Sequence, residues 1–542
     1  MKEKIEENQS QNSNEQNKFL FENWQERNKP LMRSLETILK KHPKSEIYLV
    51  GGAVRDFILS RPTQDLDFVV RGIKLEDLEK SLAELGKVDL VGKSFSVFKF
   101  VPQGGDSQNP VDIALPRKEH SLGTGAYRDV KIQSDPHLSI EDDLSRRDFT
   151  VNAMAWPVKF GKQGIFPRRK FVKDLVDPFG GIKDVKDKII RAVGKPEKRF
   201  QEDYSRQLRA LRLACQLNFE IEEKTFKAIK EKISHINDIR RNVALERSNG
   251  SVTPEVIEER IVPWEVIGEE FLKSFIANPE KAFDLYDVSG AFKEMVPEIL
   301  KMKGCPQPKN WHSEGDVWTH TRLCLKNLDS KEYRKEFGDS PPSPELILAV
   351  LFHDIGKPYT IQLPPVADRI RFNEHDIKGA EITQKILKRL KLFGFPHLSF
   401  DYENVVWLVA HHMLLVQGDI SKMRPGTIEK YFFNPSRPGK DLLKLSFVDI
   451  LSTIPEKGKQ DFSSYQAMLS RIEEIKSLSP SKKEELPPYL LSGDEIMQRY
   501  NLRPGPKIGE LKELVREAQL KGEIRTKKEA YNLLDKEMIE IK

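Results

Sequence analysis

The stretch YLVGGAVRD, residues 48–56, decides the fold of the N-terminal region. A short apolar run is followed by two glycines, Gly51 and Gly52, and then by residues that begin a helical pattern and include Arg55. A glycine pair lets the backbone approach a ligand closely, and a helix N-terminus offers unpaired N–H groups to an anion. The stretch therefore predicts a strand, a tight turn and a helix with room for a phosphate. Glycines also occur in such turns for steric reasons alone.

A second stretch, TQDLDFVV, follows at residues 63–70 and carries Asp65 and Asp67. Side chains two apart on a strand project from the same face, about 6.5 to 7 Å apart, so these carboxylates can share one cation. Hard oxygen ligands beside substrate phosphates suit Mg²⁺. Asp112, in the run VDIAL, is a third candidate that would permit two-metal phosphoryl transfer. We expect all three to be catalytic; the alternatives are a solvated strand end for the pair and an edge position for Asp112.

Length and composition bound the rest of the chain. With 542 residues the chain is long enough for about three or four domains. Lys and Arg number 89 against 83 Asp and Glu, a net charge of +6, which excludes a uniformly polybasic protein. No apolar run approaches the roughly 18 residues of a membrane helix. The N-terminus lacks the apolar stretch of a signal peptide, so we expect a cytoplasmic protein with no membrane partner.

The three cysteines, Cys215, Cys305 and Cys324, form no CxxC pair. They are too few for a disulfide framework or a thiolate zinc site. We therefore expect any metal to be held by histidine and carboxylate.

Periodicity divides the chain into a tail and four parts. We expect a disordered tail at 1–18, an α/β or α+β head at 19–190 and an all-helical neck at 191–300. A helical, histidine-rich domain at 301–480 and a small helical module at 481–542 follow. Arg240 to Pro263 breaks the helical period with Asn, Ser, Gly and Pro. That segment predicts an exposed loop, inserted into the neck.

Two more motifs lie downstream of the aspartates. RRDFTVNA occupies residues 146–153, and EDYSRQLRALR occupies residues 202–212. Asp148 in the first motif is suited to cap a helix beginning at DFTVNAMAW. In the second, Asp203, Arg206 and Arg209 are three residues apart and share one helix face. Taken alone, they are typical of a surface row of ion pairs.

The four motifs, in this order over residues 45–235, resemble the class II tRNA nucleotidyltransferases, or CCA-adding enzymes, and the related bacterial poly(A) polymerases. The resemblance implies that Gly51, Gly52, Arg55, Arg147 and Asp148 bind the nucleotide. It also implies that Glu202, Asp203, Arg206 and Arg209 bind it, with Asp203 and Arg206 selecting CTP or ATP by hydrogen bonds to the base. Partners would be tRNA, CTP and ATP, with no obligate protein partner. The segment from Pro116 to Ile140 resembles the family's flexible loop; a surface loop without a role is the alternative.

Seven of the eleven histidines fall between His312 and His412. His320, the pair His353 and Asp354, and Asp449 match the order H…HD…D of HD-type phosphohydrolases. Imidazole and carboxylate ligands suit Mn²⁺, Ni²⁺, Co²⁺ or Zn²⁺. His312, His375 and His411 are candidates to extend the site to a second metal. A helical domain that merely holds RNA is the alternative.

Three functions stay open on the sequence. The first is CCA addition to tRNA, with a poly(A) polymerase or a CC-only or A-only enzyme as close variants. The second is an HD-type phosphohydrolase acting on RNA 2′,3′-cyclic or monoester phosphates. The third is a tRNA-holding protein without catalysis, against which the paired aspartates argue.

Overall fold

The structure is a computed structural model. It describes residues 28–63, 65–91, 97–106, 109–126, 129–160, 174–248, 251–365, 369–393, 400–416, 420, 423–478 and 487–540. The expected tail at 1–18 lies outside these residues. Two compact units make up the chain: the first runs to Asn278 and includes Leu285–Glu294, and the second consists of Pro279–Asp284 and the chain from Met295 onward. Among the described residues, no helix has the length and apolar character needed to span a membrane.

The head in the first unit is built on one mixed sheet. Its elements are α1 (Lys29–Lys41), β1 (Glu46–Val50), α2 (Gly52–Ile58), β2 (Asp67–Arg71), α3 (Leu75–Ala83), β3 (Gly86–Val91), β4 (Val97–Pro102), β5 (Val111–Ala114), β6 (Arg117–Ser121), β7 (Val130–Ser134), α4 (Ile140–Ser145), β8 (Ala155–Pro157), α5 (Gly181–Asp187) and β9 (Ile189–Ile190). The strand order is β3-β4-β5-β2-β1-β8, while β6 and β7 form a separate hairpin.

The centre of this sheet is apolar on both faces, which explains why its strands read as continuous hydrophobic runs. Leu49 in β1 and Phe68 in β2 are fully buried and lie opposite each other. Strand β2 also pairs in parallel with β5. The chain therefore brings the ends of β1, β2 and β5 together at one edge of the sheet.

The neck completes the first unit. It contains α6 (Pro196–Glu202), α7 (Ser205–Leu217), β10 (Glu220–Ile221), α8 (Glu223–Lys232), β11 (Ile239–Ser248), β12 (Ser251–Arg260), α9 (Trp264–Ala277), α10 (Pro279–Val288) and α11 (Ala291–Met295), and the unit boundary falls within α10. Helix α7 packs against α9. Rings of Phe271, Phe275 and Tyr286 pack together at centroid distances of 4.7 to 5.7 Å.

Two expectations for the first unit are wrong. The segment predicted as an exposed loop forms the antiparallel pair β11 and β12, in register from Ile239 opposite Arg260 to Ser248 opposite Ser251, so the neck is not entirely helical. Asn242, Ser248, Ser251 and Pro254, which interrupt the helical period, lie within these two strands. Asp148 does not begin an α-helix either: one 3₁₀ turn, Thr150–Asn152, leads directly into β8, because the chain must return to pair with β1.

The second unit is helical. Its elements are α12 (Val317–Asn327), α13 (Lys331–Phe337), α14 (Pro344–Phe352), α15 (Lys357–Thr360), β13 (Ile361–Gln362), β14 (Arg371–Phe372), α16 (His375–Arg389), α17 (Tyr402–His411), α18 (Pro425–Phe432), α19 (Gly439–Ser452), α20 (Ser463–Leu478), α21 (Gly493–Tyr500), α22 (Pro506–Leu520) and α23 (Lys527–Glu540). Helix α14 is buried along its apolar length and contacts α12, α17 and α19. Helices α21 to α23 share a separate core that includes Ile496, Leu511 and Leu534.

Candidate functional site

Three carboxylates lie near one another at the ends of the central strands β2 and β5 of the head sheet. Asp67 opens β2 and lies directly opposite Asp112 of the parallel strand β5, while Asp65 is exposed two residues earlier. Burial, reinforced by the neighbouring charges of Asp65 and Asp112, raises the pKa of Asp67 to about 6. A cation stabilises the ionised form of a carboxyl group whose pKa is raised in this way. Asp65 precedes β2, so the prediction that both aspartates lie on one strand is wrong, and their binding of one cation stays a prediction.

The glycine turn faces this cluster. Gly51 has φ of +76°, and a Cβ atom there would lie 3.0 Å from Arg147 Nη1 and 3.4 Å from Asp67 Oδ2. Because a side chain would be both strained and crowded, glycine allows the backbone between β1 and α2 to lie against Asp67 and Arg147. Arg55 in α2 points elsewhere, since it donates to Asn152 Oδ1 at 2.7 Å and to Asp56.

A buried carboxylate, Asp143, holds the two arginines of the RRD motif. Its Oδ1 accepts from Arg146 Nη2 at 2.8 Å, and its Oδ2 accepts from Arg147 Nη2 at 3.3 Å. It also accepts from the backbone N–H of Arg117 in β6 at 3.3 Å. The side chain of Asp143 is fully buried, and its hydrogen bonds hold α4, β6 and the RRD motif together. Asp143 is not among the residues predicted from the sequence.

Asp148 and Arg209 form a paired contact between head and neck. The Asp148 Oδ2 atom accepts from Arg209 Nε at 2.9 Å and from Nη2 at 2.7 Å. Burial disfavours the charged carboxylate, but Arg209 outweighs it and lowers the pKa of Asp148 to about 2. Asp148 is thus ionised at neutral pH, with Oδ1 accepting only from the backbone N–H of Phe149 among the described contacts.

The proposed base-reading residues lie at the start of α7. Asp203 Oδ1 accepts from the backbone N–H of Ser205 at 2.8 Å and from its hydroxyl at 2.6 Å. Asp203 Oδ2 lies 3.8 Å from Arg206 Nε. Glu202 accepts from Arg206 Nη1 at 2.7 Å and from Arg199 Nη1 at 2.9 Å. Glu202 therefore orients the guanidinium group of Arg206.

A cavity of about 260 Å³ lies beside these residues. One wall is formed by Lys118 to Ser121 of β6, and the other by Arg146, Arg199, Glu202 and Arg206. Its lining is almost entirely charged or polar. The β6–β7 hairpin, which the sequence predicted as a flexible loop, therefore forms one side of a pocket next to α7, the helix that carries Arg206.

Hydrogen bonds join the tip of the β6–β7 hairpin to the neck. The backbone N–H of Tyr204 donates to Gly125 O at 2.9 Å. Gly125 has φ of +79°, and a Cβ there would come within 2.1 Å of the Tyr204 ring. Arg240 of β11 donates to Asp129 at 2.5 Å on the other side of the tip. These contacts set the separation between the two walls of the cavity.

In the second unit, the predicted HD residues converge. His320 Nε2 lies 3.0 Å from Asp449 Oδ1, and His353 Nε2 lies 3.3 Å from Asp354 Oδ2 and 3.9 Å from Asp449 Oδ1. The four side chains come from three places in the sequence, since His353 and Asp354 are adjacent, and they meet around α14. Burial opposes protonation of His353, but Asp354 and other neighbours raise its pKa to about 9.

A second group of ligands adjoins the first. His375 Nε2 lies 3.5 Å from Asp354 Oδ1, and His412 Nε2 lies 3.8 Å from the same oxygen. His375 and His412 Nε2 atoms are 3.1 Å apart. Burial and the neighbouring His375 lower the pKa of His412 to about 3, so both rings present lone pairs rather than charge.

The expectation that His411 extends the site is wrong. His411 Nδ1 donates to Trp407 O at 2.7 Å, and its ring packs against Trp407 and Tyr431. Its neighbour His412 takes the position instead, because the 3₁₀ turn that follows α17 rotates His412 toward Asp354. His312 lies near the cluster but is held by a carboxylate, Glu314.

Glu314, which is not among the residues predicted for the site, holds two imidazoles. Its Oε1 accepts from His312 Nδ1 at 2.7 Å and from His320 Nδ1 at 2.9 Å, and its Oε2 accepts from the backbone N–H of Ile454 at 3.0 Å. Burial alone would raise its pKa, but these hydrogen bonds lower it to about 2. Because Glu314 engages Nδ1 of His320, the Nε2 atom faces Asp449.

Backbone carbonyls three residues earlier in the chain orient the remaining imidazoles. His353 Nδ1 donates to Val350 O at 2.8 Å, His375 Nδ1 to Phe372 O at 2.8 Å and His412 Nδ1 to Val409 O at 2.7 Å. Each ring therefore directs Nε2 at the cluster. His353 Nε2 is buried without a hydrogen-bond partner among the described residues, and Asp354 Oδ2 forms an ion pair with Lys357 Nζ at 2.7 Å. A divalent cation fits buried nitrogen and oxygen atoms that converge in this way, and its binding would displace the proton from His353.

Comparisons with known proteins agree with this geometry. Residues 47–191 match the poly A polymerase head domain and residues 317–451 match the HD domain. The multifunctional CCA protein of Nitrosomonas europaea is 30% identical over 386 residues, covering 71% of this chain and 76% of that protein. That of Neisseria meningitidis serogroup A is 32% identical over 347 residues, covering 64% and 68%. The chain belongs to the multifunctional CCA protein family.

Solved structures show the same fold. The Bacillus stearothermophilus CCA-adding enzyme in complex with CTP aligns with a TM-score of 0.53 at 19% identity and covers 95% of this chain and 98% of that one. A CCA-adding enzyme in complex with ATP aligns with a TM-score of 0.52 at 20% identity, covering 94% and 93%. The predicted fold class, a nucleotidyltransferase head followed by a helical HD domain, is confirmed. As a member of the multifunctional CCA family, the chain is a nucleotidyltransferase.

Proposed function

We propose that the chain adds CCA to the 3′ end of tRNA from CTP and ATP, without a nucleic-acid template. The observation that carries this proposal is the convergence of Asp65, Asp67 and Asp112 in a unit that also contains the RRD arginines and a base-reading pair. Relatives named multifunctional CCA protein, and CCA-adding enzymes solved with CTP and with ATP, support it. A cytoplasmic location is part of the proposal.

In the proposed reaction, the terminal hydroxyl of tRNA attacks the α-phosphate, and pyrophosphate leaves. Asp65, Asp67 and Asp112 would hold Mg²⁺, which supplies charge stabilisation at the α-phosphate and a more acidic hydroxyl. Arg147, kept in place by Asp143, offers a planar fork to the phosphate oxygens beside Gly51. Asp148, ionised by its pairing with Arg209, is available to accept from a ribose hydroxyl.

Base selection would rest on Asp203 and Arg206. A carboxylate accepts a hydrogen bond from an exocyclic amine, which cytosine and adenine carry and uracil lacks. Ser205 holds one carboxylate oxygen of Asp203, so the other is directed toward Arg206 and the base. Arg206, oriented by Glu202, would donate to a ring nitrogen or carbonyl. UTP would leave these groups unpaired, and so would GTP, because guanine carries a carbonyl at the ring position where adenine carries its amine. Leaving these groups unpaired is costly in a buried site.

The test supplies tRNA lacking its last three nucleotides with labelled CTP and ATP. We expect addition of C, C and A in that order, abolished in Asp67→Ala and retained in Asp89→Asn, a matched exposed aspartate on the same sheet. Long A tracts without use of CTP would support a poly(A) polymerase instead. Addition of only C or only A would identify a narrower enzyme, and no incorporation at saturating Mg²⁺ would refute the proposal.

A second activity is favoured by the convergence of His320, His353, Asp354 and Asp449. We propose that the HD domain is a metal-dependent phosphohydrolase that acts on RNA 2′,3′-cyclic or monoester phosphates. His320, His353, Asp354 and Asp449 would hold the ion, which activates water and polarises the phosphate. Lys357, beside Asp354, is placed to attract the phosphate charge.

Nitrophenyl-phosphate turnover with added Ni²⁺ or Mn²⁺ tests this activity. His412→Gln should reduce turnover, whereas His411→Gln, one residue away and outside the cluster, should retain it. Equal loss in both variants, or turnover independent of metal, would contradict the proposal. Nucleotide addition by the head should be unchanged in either variant.

A further inference from the structure

One cysteine lies inside the HD cluster, against the expectation that any metal here is held by histidine and carboxylate alone. Cys324 follows His320 by one helical turn on α12, so both side chains project from the same helix face. The Cys324 Sγ atom is 3.4 Å from His320 Nε2, and the residue is 1% exposed. Ligand atoms of His320, Cys324, His353 and Asp449 all lie within 4.8 Å of one another.

The spacing of these atoms fits direct binding to one ion. At tetrahedral angles, bond lengths of about 2.3 Å to sulfur, 2.05 Å to nitrogen and 2.1 Å to oxygen predict about 3.5 Å between sulfur and nitrogen and about 3.4 Å between nitrogen and oxygen. The sulfur–nitrogen distance to His320 is 3.4 Å. The Asp449 Oδ1 distances to His320 and His353 Nε2, 3.0 and 3.9 Å, lie on either side of the expected value.

The unpaired nitrogen of His353 supplies an independent indication. Its ring is 1% exposed, its Nδ1 is occupied by Val350 O, and its Nε2 has no hydrogen-bond partner among the described residues. A buried polar atom without a hydrogen-bond partner costs about 1 to 3 kcal/mol. An ion between His353, His320, Asp449 and Cys324 would engage it.

We propose that Cys324 is a further ligand of the metal ion held by His320, His353, Asp354 and Asp449. Metal binding replaces the thiol proton, which leaves to solvent, with a metal–sulfur bond. A ligand set that adds sulfur to nitrogen and oxygen favours a borderline ion such as Zn²⁺ or Co²⁺ over Mg²⁺. Asp354 also belongs to a neighbouring group with His375 and His412. This assignment rests on the proposed HD metal site and adds a ligand to it.

Substitution with Co²⁺ tests the sulfur ligand directly, because a cobalt–thiolate bond gives a charge-transfer absorption band that imidazole and carboxylate ligands do not. The full-length protein, freed of metal by chelation and loaded with Co²⁺, should show this band. Cys324→Ser and Cys324→Ala should lose it, while Cys305→Ser, another buried cysteine of the same unit, should retain it. Thermal unfolding of each variant checks that the fold is intact.

Bound Co²⁺ without the band, or a band that survives in both Cys324 variants, would overturn the role of Cys324 and leave the HD metal site standing. No Co²⁺ bound at the HD residues, measured against a His353→Ala variant, would overturn both. Competition with a chromophoric chelator should show Zn²⁺ affinity falling about 100-fold in Cys324→Ala, at least as much as loss of a supporting residue does elsewhere. Unchanged Zn²⁺ affinity would also count against the proposal.

Discussion

Metal binding to the head should depend on pH through Asp67. Its pKa lies at about 6, compared with a usual value of 3.8, mainly because of burial and then because of Asp65. A raised carboxyl pKa means that the metal-free head holds a proton on Asp67 below about pH 6. The proton must leave before the cation binds, so affinity should fall as the solution becomes more acidic.

The size of the effect follows from the pKa. The apparent dissociation constant is multiplied by one plus the ratio of protonated to ionised Asp67. With a pKa of about 6, this factor is about 11 at pH 5 and about 1.1 at pH 7. We therefore expect about tenfold weaker binding at pH 5 than at pH 7 and little change between pH 7 and pH 8.

Electron paramagnetic resonance of free Mn²⁺ measures this binding. The head contribution is the difference between the wild-type protein and Asp67→Ala at each pH. Lys99 lowers the pKa of Asp67, so Lys99→Gln should shift the profile to higher pH, whereas Lys87→Gln on the neighbouring strand should not. Equal affinity at pH 5 and pH 7 would refute the reasoning.

Three further variants have expected outcomes. Gly125→Ala should drive the hairpin tip off Tyr204, which hydrogen exchange would detect as faster exchange in β6 and β7, with a raised KM for CTP and ATP; unchanged exchange would contradict this. Glu314→Gln should weaken metal binding at His320 by about 10- to 100-fold, as loss of a supporting carboxylate does, measured by calorimetry. Arg516→Met should lower the unfolding free energy by about 3 kcal/mol, because it leaves a partner carboxylate on α18 unpaired, as urea denaturation would show.

The proximity of Asp67 and Asp112 could be predicted because the runs that carry them are local and apolar. It needed only the assumption that VDIAL pairs beside TQDLDFVV, which the structure shows between β2 and β5. The strand period does not place Asp65, which precedes β2, and the catalytic role of the three aspartates stays a prediction. Short, strongly apolar runs fix such pairings because their burial dominates the fold.

The sequence contains a signal for the β11–β12 hairpin that helical periodicity does not reveal. Asn249 and Gly250 form the dipeptide most typical of a two-residue hairpin turn. The segment was interpreted from its interruption of the helical period alone. A test for strand-length segments on both sides of Asn249 would have favoured two paired strands.

Some residues of the HD cluster could be predicted from the sequence and others could not. The H…HD…D order predicts four ligands, but Glu314, Cys324 and His412 join them only through the packing of α12, α14, α16, α17 and α19. One carboxylate, one thiol or one of two adjacent histidines carries no sequence signal by itself. The choice between His411 and His412 depends on a single 3₁₀ turn, which spacing does not reveal.

The bonds from His353, His375 and His412 to backbone carbonyls three residues earlier bear on how fast a metal is taken up. Each ring is held by a backbone carbonyl in one orientation before any ion arrives, so no ring flip stands between an entering ion and its nitrogen ligands. His353, whose pKa is about 9, must still lose a proton. Loading and exchange at these rings should therefore be limited by access through the surrounding helices, by release of that proton and by loss of the ion's own water.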